Sequence, residues 1–136
     1  DRTCERGMIH GDIYWDNVLV DNGRIKAVLD FEEASNYFLL YDLAMGFVGC
    51  CSQNGLFDQE KIKTLISGYQ TLRKLPAQEK EQLEVFVTYA AAAGSFWRFQ
   101  QYNIKFPGHE KAESYKALAG LADQAGDIDW GTLSAG

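Results

Sequence analysis

At 136 residues, with 46% hydrophobic and 24% charged residues, the sequence has the size and composition of a single globular domain. Its net charge of −6 argues against a nucleic-acid partner, which would require an excess of Lys and Arg to neutralise phosphates. It has neither a signal peptide nor an apolar run of the ~20 residues that cross a membrane, so a cytoplasmic protein without a membrane partner is expected.

The first predicted element is a β-hairpin. Residues 18–21 and 24–30 are rich in β-branched residues, and Asn22 and Gly23 stand between them. An Asn-Gly pair tolerates the positive φ angles of a two-residue turn, so the two segments are expected to pair as antiparallel strands.

The register of this hairpin brings two polar residues together. Counting outward from the turn pairs Asp21 with Arg24 and Asn17 with Val28. Asp30 lies two residues beyond Val28 and on the same face. Asn17 and Asp30 are therefore expected as diagonal neighbours at the open end of the hairpin.

Helical periodicity governs the rest of the chain. Four helices are predicted: residues 38–51, residues 57–73, a long helix that Pro76 opens, and residues 109–125. Asp58 is the predicted N-cap of the second helix. The apolar stripe of the third helix places Trp97 in the core, and Trp130 is the predicted anchor of the tail. The expected fold class is α+β and mostly α, with one domain over residues 1–136.

Three side chains near the hairpin have a chemical logic. Asp12 follows His10 in a predicted loop, Asn17 lies five residues later, and Asp30 ends the second strand. An amide oxygen and a carboxylate suit magnesium, which takes oxygen ligands and also binds substrate phosphates. Asp12 would remain free to accept a proton from a hydroxyl, which is the division of roles that phosphoryl transfer requires. Taken singly, each residue could equally be a polar turn or strand-end residue.

The same residues carry a family resemblance. The pattern His-x-Asp, four residues, Asn, a strand pair and Asp-Phe stands here as His10, Asp12, Asn17, Asp30 and Phe31. It resembles the catalytic loop of the protein-kinase-like small-molecule phosphotransferases, which include aminoglycoside, choline and homoserine kinases. The resemblance implies ATP as phosphoryl donor, Asp12 as catalytic base, and Asn17 and Asp30 as the ligands of Mg²⁺.

Softer features extend the resemblance along the chain. The family positions of His10 and Asp42 imply that these two residues support the catalytic loop. The stretches GYQTLRKLPAQEKEQL (68–83) and FWRFQQYN (96–103) are most similar to homoserine kinases in order and spacing. This similarity implies phosphorylation of the homoserine hydroxyl, a step of threonine biosynthesis. Other small hydroxyl-bearing substrates remain open, namely an aminoglycoside, choline or another amino alcohol.

Two residues are weaker candidates for substrate binding. Arg98 is expected either as an ordinary helix-surface arginine or as the partner of a substrate carboxylate. Glu32, which replaces the glycine that protein kinases have after Asp-Phe, could bind a substrate amine in the same way. An amino-acid substrate would require such an opposite pair of charges.

The family also implies an N-terminal lobe that clamps the nucleotide. Only seven residues precede Met8, so this lobe is expected to be absent and the chain is expected to be a C-terminal lobe that is inactive alone. The apolar face left for the missing lobe would favour self-association. The alternative is a non-catalytic module with the same fold.

Overall fold

A computed structural model describes residues 4–135 and shows the predicted α+β chain, in which helices dominate. Three two-stranded antiparallel sheets are formed by β1 (Arg6–Ile9) with β4 (Ser35–Phe38), β2 (Val18–Asp21) with β3 (Arg24–Val28), and β5 (Ser52–Gln53) with β6 (Leu56–Phe57). The α-helices of the described part are α1 (Leu39–Cys50), α2 (Gln59–Leu72), α3 (Ala77–Glu81), α4 (Leu83–Phe99), α5 (Tyr115–Gln124) and α6 (Trp130–Leu133). Short 3₁₀ segments cover Trp15–Asn17 and Ala125–Asp127, and a π-helical segment, Gln100–Lys105, extends α4.

The predicted hairpin is present as β2 and β3. Asn22 and Gly23 have φ angles of 48° and 71°, which confirms the two-residue turn. The second strand ends at Val28, two residues earlier than predicted. The chain leaves the extended region there, because Asp30 has a φ of 62°.

The predicted register of the hairpin was wrong by one residue. A β-bulge leaves Lys26 without a partner, so Val18 rather than Asn17 lies opposite Val28. The N–H of Leu29 donates to the carbonyl oxygen of Asn17 at 2.9 Å. A bulge inserts one residue on one strand only, so counting outward from a turn cannot detect it.

The sheet of β1 and β4 was not predicted from the sequence. Its strands flank the β2–β3 hairpin in the sequence, and their register pairs Arg6 with Phe38 and Ile9 with Ser35. The residue after β1 and the residue before β4 therefore emerge side by side. This arrangement brings the loop of residues 10–17 next to the segment of residues 29–34.

Helix α1 forms the centre of the core, as expected for residues 38–51. Most of its side chains are buried, including Leu40, Phe47 and Val48. The buried residues that surround it come from four other helices: Ile62, Ile66, Leu83, Val87, Ala90, Ala91, Leu118, Leu121 and Trp130. Each fully buried Leu, Ile, Val or Phe contributes about 1.5–3 kcal/mol to stability, so this cluster is the main source of rigidity beneath the loops.

Local signals at the helix ends gave mixed results. Asp58 caps α2 as predicted, because its carboxylate accepts the N–H of Lys61 at 3.1 Å. The helix that Pro76 was expected to open is two helices, α3 and α4, separated at Gln82. The last predicted helix begins only at Tyr115, six residues later than the pattern indicated.

The tryptophans Trp130 and Trp97 differ in their burial. Trp130 is buried as predicted and stacks on Phe47, with ring centroids 5.7 Å apart. Trp97 is 54% exposed and contacts Tyr102 edge-on, so the expectation that it belongs to the core was wrong. None of the helices within residues 4–135 is long and apolar enough to cross a membrane.

Candidate active site

The loop that follows β1 is held by one carboxylate of α1. Asp42 accepts the N–H of His10 through Oδ2 at 3.0 Å and the N–H of Gly11 through Oδ1 at 2.8 Å. Gly11 has a φ of 85°, and a Cβ at this position would lie 2.7 Å from the carbonyl oxygen of Glu33. Only glycine fits there without strain, and the loop can therefore turn sharply over the start of α1.

His10 joins this loop to the end of the hairpin. Its Nδ1 accepts the N–H of Asp12 at 3.2 Å, and its Nε2 lies 2.7 Å from the carbonyl oxygen of Leu29. A carbonyl oxygen can only accept, so Nε2 is the donor in this hydrogen bond. The ring also packs on Phe31 with centroids 4.5 Å apart. His10 is buried and bonded on both sides, so it contacts the loop rather than solvent.

Asp12 and Asn17 are in direct contact. The Nδ2 of Asn17 donates to the Oδ2 of Asp12 at 3.1 Å and to the carbonyl oxygen of Asp12 at 3.0 Å. Burial raises the pKa of the Asp12 carboxyl, and the negative charge of Asp30 adds to this rise, whereas the hydrogen bond from Asn17 opposes it. Asp12 is thus a half-buried carboxylate with raised basicity, and Asp30 is close enough to influence its charge.

Two oxygen groups beside Asp12 have no partner among the described residues. Asn17 uses only its Nδ2 in hydrogen bonds, so its Oδ1 is free, and the exposed carboxylate of Asp30 makes neither a hydrogen bond nor an ion pair within residues 4–135. No group of three His, Cys, Asp or Glu side chains in that range is placed to hold a metal ion. One amide oxygen and one carboxylate nevertheless fit magnesium, which usually keeps several waters and binds the substrate's phosphates.

The two weaker candidates lie apart from these contacts. Arg98 donates to the carbonyl oxygen of Ser114 at 3.5 Å, and its guanidinium carbon lies 5.9 Å from the ring centroid of Tyr14. Glu32 is exposed, with neither a hydrogen bond nor an ion pair to any residue of 4–135. The roles expected for Arg98 with a substrate carboxylate and for Glu32 with a substrate amine therefore stay predictions.

Comparison with known proteins agrees with the geometry of the loop. A model of the phosphotransferase enzyme family matches residues 1–75, which include the loop, the hairpin and α1. The chain belongs to the phosphotransferase enzyme family. This match covers more than half of the chain and contains Asp12, Asn17, Asp30 and Asp42.

Relatives of this phosphotransferase chain include several proteins named homoserine kinase. The chain is 37% identical to that of Sinorhizobium fredii over 99 residues, which is 72% of this chain and 29% of that protein. It is 32% identical to that of Polaromonas naphthalenivorans over 108 residues (78% and 34%), and 33% identical to that of Neisseria meningitidis serogroup B over 104 residues (74% and 33%). The chain thus spans about a third of the length of these relatives.

The phosphotransferase site contains one residue that the sequence reasoning missed. Tyr14 lies in the loop between Asp12 and Asn17, and its ring is partly buried against the core. Burial raises the pKa of its phenol to about 12. The available signal was weak: an aromatic residue in a polar loop, together with the glycines Gly49 and Gly94 in two apolar helices.

Proposed function

We propose that this chain carries the catalytic loop of a two-lobed kinase, which transfers the γ-phosphoryl group of ATP to the hydroxyl of homoserine. Membership of the phosphotransferase enzyme family supports the type of reaction. The choice of homoserine rests on the names of the relatives, which share 30–37% identity over most of this chain. Because the chain spans only about a third of their length, the activity belongs to the complete gene product.

One contact carries the proposal for Asp12. The hydrogen bond from Asn17 to Oδ2 fixes the carboxylate, and Oδ1 has no hydrogen-bond partner within residues 4–135. This free oxygen is available to accept the proton of the substrate hydroxyl as it attacks the phosphoryl group. The raised pKa of the Asp12 carboxyl makes it a better base than an exposed aspartate.

The neighbouring oxygens have the complementary role. Asn17 and Asp30 would hold Mg²⁺, with the Oδ1 of Asn17 and the carboxylate of Asp30 as ligands. The chemistry that Mg²⁺ would supply at these two residues is neutralisation of the charge of the ATP phosphates. Asn17 could serve both groups, because its Nδ2 donates to Asp12 and its Oδ1 would be left to bind the metal. Asp42 and His10 keep the backbone of this loop in place.

The second lobe of the proposed enzyme would lie outside this chain. Several apolar side chains of the strands β1, β2 and β3 are exposed: Met8, Leu19, Val20 and Ile25. Exposed apolar groups of this kind favour an interface, so we assign them to contact with the nucleotide-clamping lobe. The chain expressed alone is then expected to be inactive and to self-associate through these side chains.

Matched variants of two loop aspartates test the catalytic role. In the complete gene product, Asp12→Asn is expected to lower kcat by about 10²–10⁴-fold, the usual contribution of a general base. Asp16→Asn removes an exposed carboxylate four residues away in the same loop and should leave kcat unchanged. The measurement is ADP release with homoserine and ATP. Equal rates for the two variants would refute the role of Asp12.

An acceptor panel tests the substrate. Homoserine, choline and an aminoglycoside are compared as acceptors at equal concentration, with phosphorylated product followed by mass spectrometry. The proposal expects the highest kcat/KM with homoserine. A preference for choline or the aminoglycoside would retain the kinase and change its substrate, whereas no product with any acceptor would favour a non-catalytic module.

A further inference from the structure

The face of α1 that carries Asp42 lies along the loop that contains Asp12. Gly46 and Gly49 lie four and seven residues after Asp42, so they share its side of a helix with 3.6 residues per turn. Asp42 binds the start of the loop through two backbone N–H groups. The two glycines lie under the next part of the loop, at Ile13 and Tyr14.

Gly49 is the position where this contact is closest. A Cβ on Gly49 would lie 2.2 Å from the carbonyl oxygen of Ile13 and 2.8 Å from the Cα of Tyr14. Both are backbone atoms, so they cannot give way as the end of a side chain can. A Cβ on Gly46 would meet only side-chain atoms, the Cδ2 of Leu65 at 3.2 Å and the Cγ2 of Ile13 at 3.8 Å. Any side chain at position 49 must therefore displace the loop, whereas one at position 46 need not.

The ring of Tyr14 is held on the opposite side by α4. Its hydroxyl oxygen would lie 3.2 Å from a Cβ on Gly94, and the guanidinium of Arg98 lies over the ring. The hydroxyl makes no hydrogen bond to any residue of 4–135, so apolar packing and the Arg98 guanidinium hold the ring. Tyr14 thus occupies a narrow gap between Gly49 of α1 and Gly94 of α4, which we call the Tyr14 seat.

The backbone of Tyr14 connects this seat to both functional side chains. Its N–H donates to the carbonyl oxygen of Asp12 at 3.0 Å, and its carbonyl oxygen accepts the N–H of Asn17 at 3.0 Å. A shift of Tyr14 therefore moves Asp12 and Asn17 together. We infer that Gly49 and Tyr14 are positioning residues, which set the location of Asp12 by letting the loop backbone rest directly on α1. This inference rests on the proposed phosphoryl transfer at Asp12.

Two alanine variants on one helix test this inference in the complete gene product. Gly49→Ala must move the loop backbone by about 1 Å to restore a normal contact, and a displacement of that size costs about 10²-fold in kcat. Gly46→Ala adds the same methyl group one turn earlier and is expected to keep the wild-type kcat. The KM for ATP is expected to rise as well in Gly49→Ala, because Asn17, a proposed Mg²⁺ ligand, is hydrogen-bonded to Tyr14 and moves with the same segment.

A second pair of variants covers the case in which Gly49→Ala does not fold. Tyr14→Ala empties the seat and is expected to lower kcat, whereas Tyr14→Phe removes only an unbonded hydroxyl and should retain the wild-type rate. Hydrogen exchange of the Tyr14 and Asn17 amides provides a readout that needs no activity. Exchange is expected to accelerate in Gly49→Ala and Tyr14→Ala and to stay unchanged in Gly46→Ala and Tyr14→Phe.

The outcomes separate this inference from the proposed function. If the wild-type gene product phosphorylates no acceptor, the proposed function fails, and amide exchange alone decides whether Gly49 and Tyr14 hold the loop. If Gly49→Ala and Tyr14→Ala both keep wild-type amide exchange, or both keep wild-type kcat in an active enzyme, the inference is overturned.

Discussion

The carboxylate of Asp42 offers the sharpest test of how the loop is held. It accepts two backbone N–H groups, from His10 and Gly11, one on each oxygen. Asp42→Asn keeps the size and shape of the side chain but replaces one oxygen with an NH₂ group, which cannot accept. One of the two N–H groups then loses its acceptor and faces another donor.

The size of the effect follows from this single lost bond. A hydrogen bond to a charged group contributes about 1.5–3 kcal/mol. Local opening of the loop should become easier by that amount, which corresponds to amide exchange of His10 and Gly11 that is about 10- to 10²-fold faster. The same variant should lower kcat, because Asp12 follows Gly11 directly. Hydrogen exchange with peptide-level or NMR resolution measures the first effect, and ADP release the second.

Asp123→Asn is the matched control, because it makes the same chemical change at an exposed site on α5. It should alter neither exchange in the loop nor turnover. Wild-type protection of both amides in Asp42→Asn would refute the reasoning, since it would mean that the backbone of the loop keeps its position without this carboxylate.

Two further predictions concern stability. Glu79 is buried and bonded to Arg73 through both oxygens at 2.7 and 2.8 Å, so Glu79→Gln should cost about 3 kcal/mol in urea denaturation, whereas exposed Glu81→Gln should cost almost nothing. Burial alone would raise the pKa of the Glu79 carboxyl, but the hydrogen bonds from Arg73 hold this pKa below the ordinary value of 4.5. The ionised carboxylate therefore stabilises the fold above pH 4.5, and this stabilisation is lost as the pH falls below that value. The stabilities of the wild type and Glu79→Gln should accordingly converge in acid. Asp58→Ala removes the cap that accepts the N–H of Lys61 and should lower stability by about 1 kcal/mol, with an unchanged m-value.

Elements with a short-range signal were predictable from the sequence. The turn at Asn22 and Gly23 depends only on the φ angles of two residues, and the cap at Asp58 depends on one side chain and the next turn. The contacts of β1 with β4 span about thirty residues, and neither strand has a strong alternating pattern of its own. A pairing of this kind is decided by what the rest of the chain brings together, and local pattern does not contain that information.

Periodicity identified helices but not which of their faces is covered. Leu72 has the helical spacing of the apolar residues of α2 and is nevertheless 94% exposed, whereas the polar Gln70 at the same end of the helix is buried. Trp97 lies on the predicted stripe of α4, but the buried residues of that helix are Leu83, Val87, Ala90, Ala91 and Ser95. The spacing of apolar residues defines a face, and only the lengths and positions of the packed helices decide how much of it is buried.

Some features of the candidate site follow from local sequence, and others depend on tertiary packing. The order of Asp12, Asn17 and Asp30 along the chain was sufficient to propose a chemistry for them, and that chemistry stays a prediction. The hydrogen bond between Asn17 and Asp12 and the seat of Tyr14 were not predictable. Both depend on distances of a few tenths of an ångström, which packing against α1 and α4 determines.

Helix α1 connects the polar loop to the apolar core. Asp42 and Gly49 lie seven residues apart, about 10 Å along the helix axis, and they contact the loop at its start and at Ile13. The opposite side of the helix is fixed in the core, where Leu40 and Phe47 are fully buried. A rotation or slide of α1 would move the charged contact and the steric contact together. The position of the polar loop therefore depends on the apolar packing beneath it. One rigid helix connects the two, because Asp42 provides a hydrogen-bond acceptor near its start and Gly49 leaves room for the loop backbone near its end.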